Sequence, residues 1–341
     1  FITGDIRSRH EIYRLLFHHL DDVVVTSEPD GGGLRVSLGK GAVRPVGLSP
    51  EENLLPYPVR SPLAYHLLQE LFFFPDKFLY FDLAGFDRLR ARKFGSRVEV
   101  IVLIAPFERP ERKDRLQSGV SARTIGLGVT PIVNLFEKTS EPILLTERRA
   151  EYPVVPDARR RESTGVFSVD EVVAVSPGTP KPIKFQPFQS FRHGISASSP
   201  HPFWVARRRP KTWRADEGTQ VHLSFVDLSA RTVYPDEEAV TLRLTCHNGA
   251  VPSRLPFGGE RGDFHMEDGG QIDRITTLTK PTPIVEPPLG KPLLWRLVSQ
   301  LSLNYISLVD GGGEGLKELL RLHYTADSAS AERQIQGLLE V

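Results

Sequence analysis

Ten histidines, one cysteine and 42 acidic side chains are the groups in this 341-residue chain best able to do chemistry. A zinc site needs ligands at fixed spacing. No His-Glu-x-x-His stretch is present, and Cys246-His247 has no second cysteine to pair with. His18 and His19 are adjacent, so on a helix they point about 100° apart and do not face one ion. No Gly-x-Ser-x-Gly elbow offers an acyl-transfer serine. Cys246 sits in Leu244-Thr245-Cys246-His247, a strand pattern whose neighbours project to opposite faces. It reads as a small core residue, not as half of a Cys–His pair. No catalytic, metal or cofactor site is expected from these residues.

Asp310-Gly311-Gly312-Gly313-Glu314-Gly315-Leu316-Lys317 precedes a helical pattern, as a phosphate cradle would. It lacks the Gly-Lys-Ser/Thr ending, and Glu314 would repel phosphate, so it reads as a turn. Asp82 with Asp87, or Glu260 with Asp263, has the residue types for glycoside cleavage, but such pairs arise by chance among 42 acids. Basic residues cluster at Arg88 to Arg97, at Arg159-Arg160-Arg161 and at Arg207-Arg208-Arg209 with Lys211. Balanced against 42 acids, 43 basic residues leave a formal charge of +1, which gives no overall attraction to nucleic acid or an anionic membrane. The clusters therefore read as solvated loops or arginine-rich protein interfaces. The densest apolar signal is Leu71-Phe72-Phe73-Phe74-Pro75, joined by Phe188 and Phe191-Arg192 further on. A helix ending in three phenylalanines cannot hide all three against one neighbour. The candidate protein-interface residues are Phe72, Phe73, Phe74, Phe188, Phe191, Arg192, Arg207, Arg208 and Trp295.

The elements that must position them are legible in outline. The hydrophobic fraction of 40% is enough for a core, and the length suits two or three domains. The longest apolar run, Val100 to Phe107, is far short of the roughly 20 residues a spanning helix needs. The chain starts without Met or a signal-like segment, its only Met being Met266, so it is expected to be the later part of a longer protein. A single cysteine fits a reducing compartment. Asp5 caps a helical pattern running to Asp21, and Val23 to Thr26 and Leu34 to Leu38 read as strands. Ser61-Pro62 opens a helix to Phe74. Phe78 to Leu83 and Val98 to Ala105 are strand-like, the second with too little alternation for a half-exposed strand and so expected to be buried. Arg109 to Gln117 has the charge pattern of a short helix.

Short β-like runs then follow at 129–136, 142–146, 167–175, 203–208, 221–228 and 240–246, with loops near 176–184 and 194–202. A strand at 273–279, a proline-rich connector at 281–292 and helices over 293–303, 315–324 and 328–341 complete the chain. The expected class is α+β and β-rich: mixed α/β over 1–120, an antiparallel sandwich or barrel-like module over 121–250, and a mixed module with C-terminal helices over 251–341.

Read as a whole, the chain resembles the TssF (VasA/ImpG) family of type VI secretion baseplate subunits, in its C-terminal portion. The segments that carry this are Leu54-Leu55-Pro56-Tyr57-Pro58, Tyr65 to Phe72 and Phe74-Pro75-Asp76-Lys77-Phe78. Thr130 to Phe136, Glu141-Pro142-Ile143 and Glu151 to Asp157 continue the series. Pro187-Phe188, Phe191-Arg192-His193, Leu244 to Asn248, Leu255-Pro256-Phe257-Gly258 and Leu297 to Tyr305 follow in the family's order. Leu71 departs from it, standing where an aromatic is expected.

The resemblance implies a non-enzymatic scaffold in the bacterial cytoplasm, in a baseplate docked on the inner-membrane complex, with no membrane insertion and no cofactor. It implies a wedge of two TssF copies and one TssG that binds TssK and TssE, with six wedges around a VgrG-bearing spike hub beneath the contractile sheath. The competing readings are a β-sandwich carbohydrate-handling enzyme, which needs convergent carboxylates, and a nucleic-acid-binding module, which needs its arginines on one face.

Overall fold

Asp5 begins the first element as the sequence suggests, its carboxylate accepting hydrogen bonds from the Arg7 and Ser8 amides at 3.1 Å. In the computed structural model these residues open one of two compact units, Phe1–Val133 with Leu297–Val341, and Asn134–Arg296. The structure describes residues 1–290 except 29–32, 59–60, 91–93, 96, 107–112, 114–115, 117–118, 147, 175–181, 189–201, 212–217, 228–230, 234–238, 267–271 and 288, together with Leu320.

In the first unit, helix α1 (Ile6–His18) packs Ile12, Leu15 and Leu16 inward. Strand β1 (Leu20–Thr26) lies between β2 (Arg35–Ser37) and β5 (Glu99–Ile104), both antiparallel to it. β3 (Val43–Pro45) pairs with β4 (Phe81–Leu83), and between them run helix α2 (Leu63–Phe73) and a 3₁₀ turn at Pro75–Leu79. The short helix α3 (Asp87–Arg90) follows β4. Ile2, Leu16, Val23, Val25, Leu38 and Leu79 are among the residues of one apolar core. β5 differs from expectation: none of its six residues is fully buried, and Leu103 is 45% exposed. Val100 and Val102 reach the core, but the other face of this described edge strand has no covering layer among the described residues.

The second unit is one mixed sheet in the order β6 (Phe136–Thr139), β13 (Ala239–His247), β9 (Gly165–Ala174), β10 (Ile183–Pro187), β11 (Phe203–Pro210), β12 (Thr219–Val226), β8 (Tyr152–Pro153), with β7 (Ile143–Leu144) also on β13. Period-two alternation builds its core. Val240, Leu242, Leu244 and Cys246 of β13 are at most 1% exposed, and Val221, Leu223 and Phe225 face them from β12. Two register shifts between β13 and β9 increase the local twist, and the sheet curls into a half-barrel. The class is α+β and β-rich, as the sequence indicates.

Four further local expectations fail. Residues 129–135 form no ladder, since Pro131 removes a donor and pairing begins only at Phe136. The 176–184 loop gives way to β10 at Ile183. Its pairing with β11 is parallel, so the middle is not wholly antiparallel. Residues 273–279 make only an isolated bridge, Phe264 to Ile275. Most of the 109–117 helix and the three C-terminal helical patterns lie outside the described residues.

Candidate assembly surfaces

Helix α2 is built inside out. Its two buried residues are His66 and Glu70, while Leu63, Leu67, Leu68, Leu71 and Phe72 are only half buried and Phe73 is 48% exposed. The reason is a polar clasp beneath it. Glu70, 1% exposed, accepts hydrogen bonds from the Leu54 and Leu55 amides at 2.8 and 3.2 Å and forms an ion pair with Lys77, also 1% exposed. A buried charge is tolerated only when paired and hydrogen-bonded, and this arrangement meets both conditions. The Lys77 ammonium also lies 5.5 Å from the Phe78 ring centroid.

The loop before α2 is fixed by the same group of residues. Asn53 Nδ2 meets His66 Nδ1 at 3.1 Å, and the Tyr57 and His66 rings stack at 3.8 Å. The Tyr57 hydroxyl is buried near the Glu70 carboxylate without hydrogen-bond geometry. Burial, and then that negative charge, raise its pKa far above the ordinary value. Glu52 Oε2 accepts from the Gly47, Leu48 and Ser49 amides at 2.8–3.0 Å. Gly47 has φ +98°, and a Cβ there would sit 3.1 Å from Lys77 Cε, so only glycine fits. The Leu54-to-Phe78 block thus encodes a clasp that presents the apolar side chains of α2 outward.

A second display lies in the other unit. Between Val251 and Val285, nine large apolar residues are exposed among those described: Val251, Leu255, Phe257, Phe264, Met266, Ile272, Leu278, Ile284 and Val285. This stretch has almost no ladder, yet it is held in shape by Asp263. Its carboxylate accepts from the Gly258 and Gly259 amides at 2.9 and 3.1 Å and from both the Thr277 amide and hydroxyl at 2.7 Å. These bonds, the Thr277 hydroxyl first, keep its pKa far below the usual carboxylate range. In the sequence, Leu255 to Gly258 stands out only as a segment similar to the family. The available signal was a set of apolar residues around Pro and Gly with no strand or helix period to place them in a core.

The nine candidate residues divide three ways. Phe73 is exposed, and Phe72 and Phe74 are half buried at the α2 terminus. Phe188 is half buried and packs edge-on to Phe203 at 6.2 Å. Arg207 is exposed beside Arg209, and both reach Glu151, at 3.9 and 2.7 Å. Arg208 turns inward: its guanidinium donates to the Val166 and Phe167 carbonyls at 2.6 and 3.0 Å and to Thr219 Oγ1 at 3.0 Å. Phe191, Arg192 and Trp295 lie outside the described residues.

Cys246, like Asp263, has a structural occupation. Burial pushes the Cys246 thiol up to about 11, which leaves it protonated and a poor nucleophile. Around the open recess bordered by Lys138, Glu141 and Asp157, Asp157 is ion-paired to Lys138 at 2.9 Å and Glu141 accepts the Ala158 amide at 3.0 Å. No group of three or more metal-ligating side chains converges among the described residues. No helix among them is long and apolar enough to cross a membrane.

The full chain, residues 1–341, matches the family model described as Type VI secretion system, TssF. It is 28% identical to the type VI secretion system component TssF1 of Pseudomonas aeruginosa (strain PAO1), an alignment that takes in 100% of this chain and 56% of the relative, so the chain spans just over half the relative's length. Among solved structures it superposes with TM-score 0.68 at 21% identity on a chain of the TssK-TssF-TssG baseplate subcomplex of the type VI secretion system, covering 98% of this chain and 59% of that one. At that identity the likeness establishes the fold. A chain of the type VI secretion baseplate complex matches at TM-score 0.45 and 17% identity, over 93% of this chain and 62% of that one. The family match over residues 1–341 places this chain in the type VI secretion system TssF family.

Proposed function

We propose that this chain is a structural scaffold of the type VI secretion baseplate wedge and not an enzyme. The observation that carries this reading is the family match over residues 1–341. The fold shared with a chain of a TssK-TssF-TssG subcomplex supports TssG and TssK as partners. A second copy of this chain, TssE, the VgrG spike hub and the sheath complete the proposed assembly, in the cytoplasm against the inner-membrane complex. The surfaces suit the role. Each unit presents large apolar side chains on a scaffold stiffened by buried or multiply bonded carboxylates, Glu70 in one and Asp263 in the other. Interfaces draw their energy from such pre-organised apolar anchors.

The test is genetic. Deletion of the gene in its own bacterium, with a fluorescent sheath protein as readout, is expected to abolish sheath extension, and the intact gene to restore it. Sheaths that still assemble in the deletion strain would refute the scaffold role.

A further inference from the structure

Arg208 poses a charge problem that its direct contacts do not solve. The guanidinium is half buried, and its hydrogen-bond partners among the described residues are two carbonyls and a hydroxyl, all neutral. The position follows from the topology. β10 pairs with only three residues of β9 and two of β11, and Val166 and Phe167 lie beyond the end of that ladder. Arg208 reaches across from β11 and supplies donors where strand amides would otherwise be. A partly desolvated cation so placed is stabilised by a nearby counter-charge.

That charge arrives from the proline-rich connector. Between residues 282 and 287 every residue but one is exposed; the exception is Glu286. Its Oε2 accepts a 2.8 Å hydrogen bond from Thr219 Oγ1, the same oxygen that accepts from Arg208 Nη1 at 3.0 Å. The chain is therefore Arg208 to Thr219 to Glu286. Next to it, Gly218 at φ +78° leaves room for the carboxylate, since a Cβ there would lie 3.2 Å from Glu286 Oε1. His247 and Lys211 complete the surroundings. The His247 ring is packed over Gly165, accepts the Gly249 amide at 3.0 Å, and feels both the Glu286 and the Arg208 charge.

The geometry points to a carboxylate-binding recess at this end of the sheet, formed by Arg208, Gly218 and Thr219, whose resident ligand is Glu286 of the chain's own connector. The recess anchors the connector at Glu286.

The experiment is spin-label mobility at the neighbouring position. Val285 is 54% exposed, so a nitroxide on a Val285→Cys variant reports the connector, while buried Cys246 stays unlabelled. Glu286→Gln keeps the shape and removes the charge. It is expected to shorten the rotational correlation time by about threefold, the difference between an anchored and a freely moving segment. Thr219→Val, which removes the bridging hydroxyl, is expected to do the same, with far-UV circular dichroism showing the sheet intact. Glu260→Gln is expected to leave the spectrum unchanged. An unaltered line shape in Glu286→Gln overturns the proposal, as does one that changes equally in Glu260→Gln.

Discussion

Lys77→Met isolates the buried pair on which the presentation of α2 rests. Methionine has nearly the length of lysine and fills much of the same space, so the loss is mainly electrostatic. Glu70, 1% exposed, would keep the Leu54 and Leu55 amides and lose its counter-ion. Two unit charges about 4 Å apart at an effective dielectric of about 20 interact by about 4 kcal/mol. Breaking one side of a buried pair costs about 3–5 kcal/mol in proteins generally, and the two figures agree. With a urea slope of about 1.5 kcal/mol per molar for a domain of this size, the unfolding midpoint of the first unit should fall by about 2–3 M. Far-UV circular dichroism of the whole chain in urea measures it. The double variant Glu70→Gln/Lys77→Met should recover most of the loss, because the amide oxygen can still accept from Leu54 and Leu55 and no charge is stranded. A single variant within about 1 kcal/mol of the parent would refute the reasoning, since stranding a buried charge cannot be that mild.

Three further outcomes follow from the same structure. Phe73→Ser should change stability by less than about 0.5 kcal/mol, because the ring is exposed, while weakening capture of TssG or TssK at least about tenfold if α2 is an assembly surface; isothermal titration with each partner measures it. Gly165→Ala would place a methyl carbon 2.4 Å from His247 Cε1 and should cost the second unit about 1–3 kcal/mol, read as a lower melting temperature. Burial lowers the His247 pKa below its ordinary 6.5, so the unfolded chain binds a proton that the folded chain does not. The second unit should therefore be most stable above pH 6.5 and lose stability as pH falls through the lower folded value. A His247→Asn variant should show a flatter urea-midpoint profile across that range.

What the sequence made legible was whatever follows from local chemistry. Asp5 as a cap, the alternation of Val240 to Cys246, and the helix ending in Phe72 to Phe74 are all decided within a few residues, and the structure reproduces them. β5 misled because the five consecutive apolar residues Val100 to Ile104 imply two covered faces, whereas the described strand lies at a sheet edge. β10 was missed because Ile183-Lys184-Phe185-Gln186-Pro187 is short and ends at a proline, and its pairing with β9 and β11 is set outside the segment itself. The inward turn of Arg208 was equally hidden: nothing in Arg207-Arg208-Arg209 marks the middle arginine, and only the end of the β10 ladder gives it carbonyls to bond. The Glu70–Lys77 pair lay within a recognisable block, but its burial depends on how the loop from Gly47 to Pro58 folds back over α2.

Co-purification tests the scaffold account most directly. The tagged chain would be co-expressed with TssG and TssK from its own bacterium, and the mass of the complex read by light scattering. The account predicts a stable complex holding two copies of this chain per TssG. A chain that elutes alone as a monomer, with neither partner retained, would contradict it.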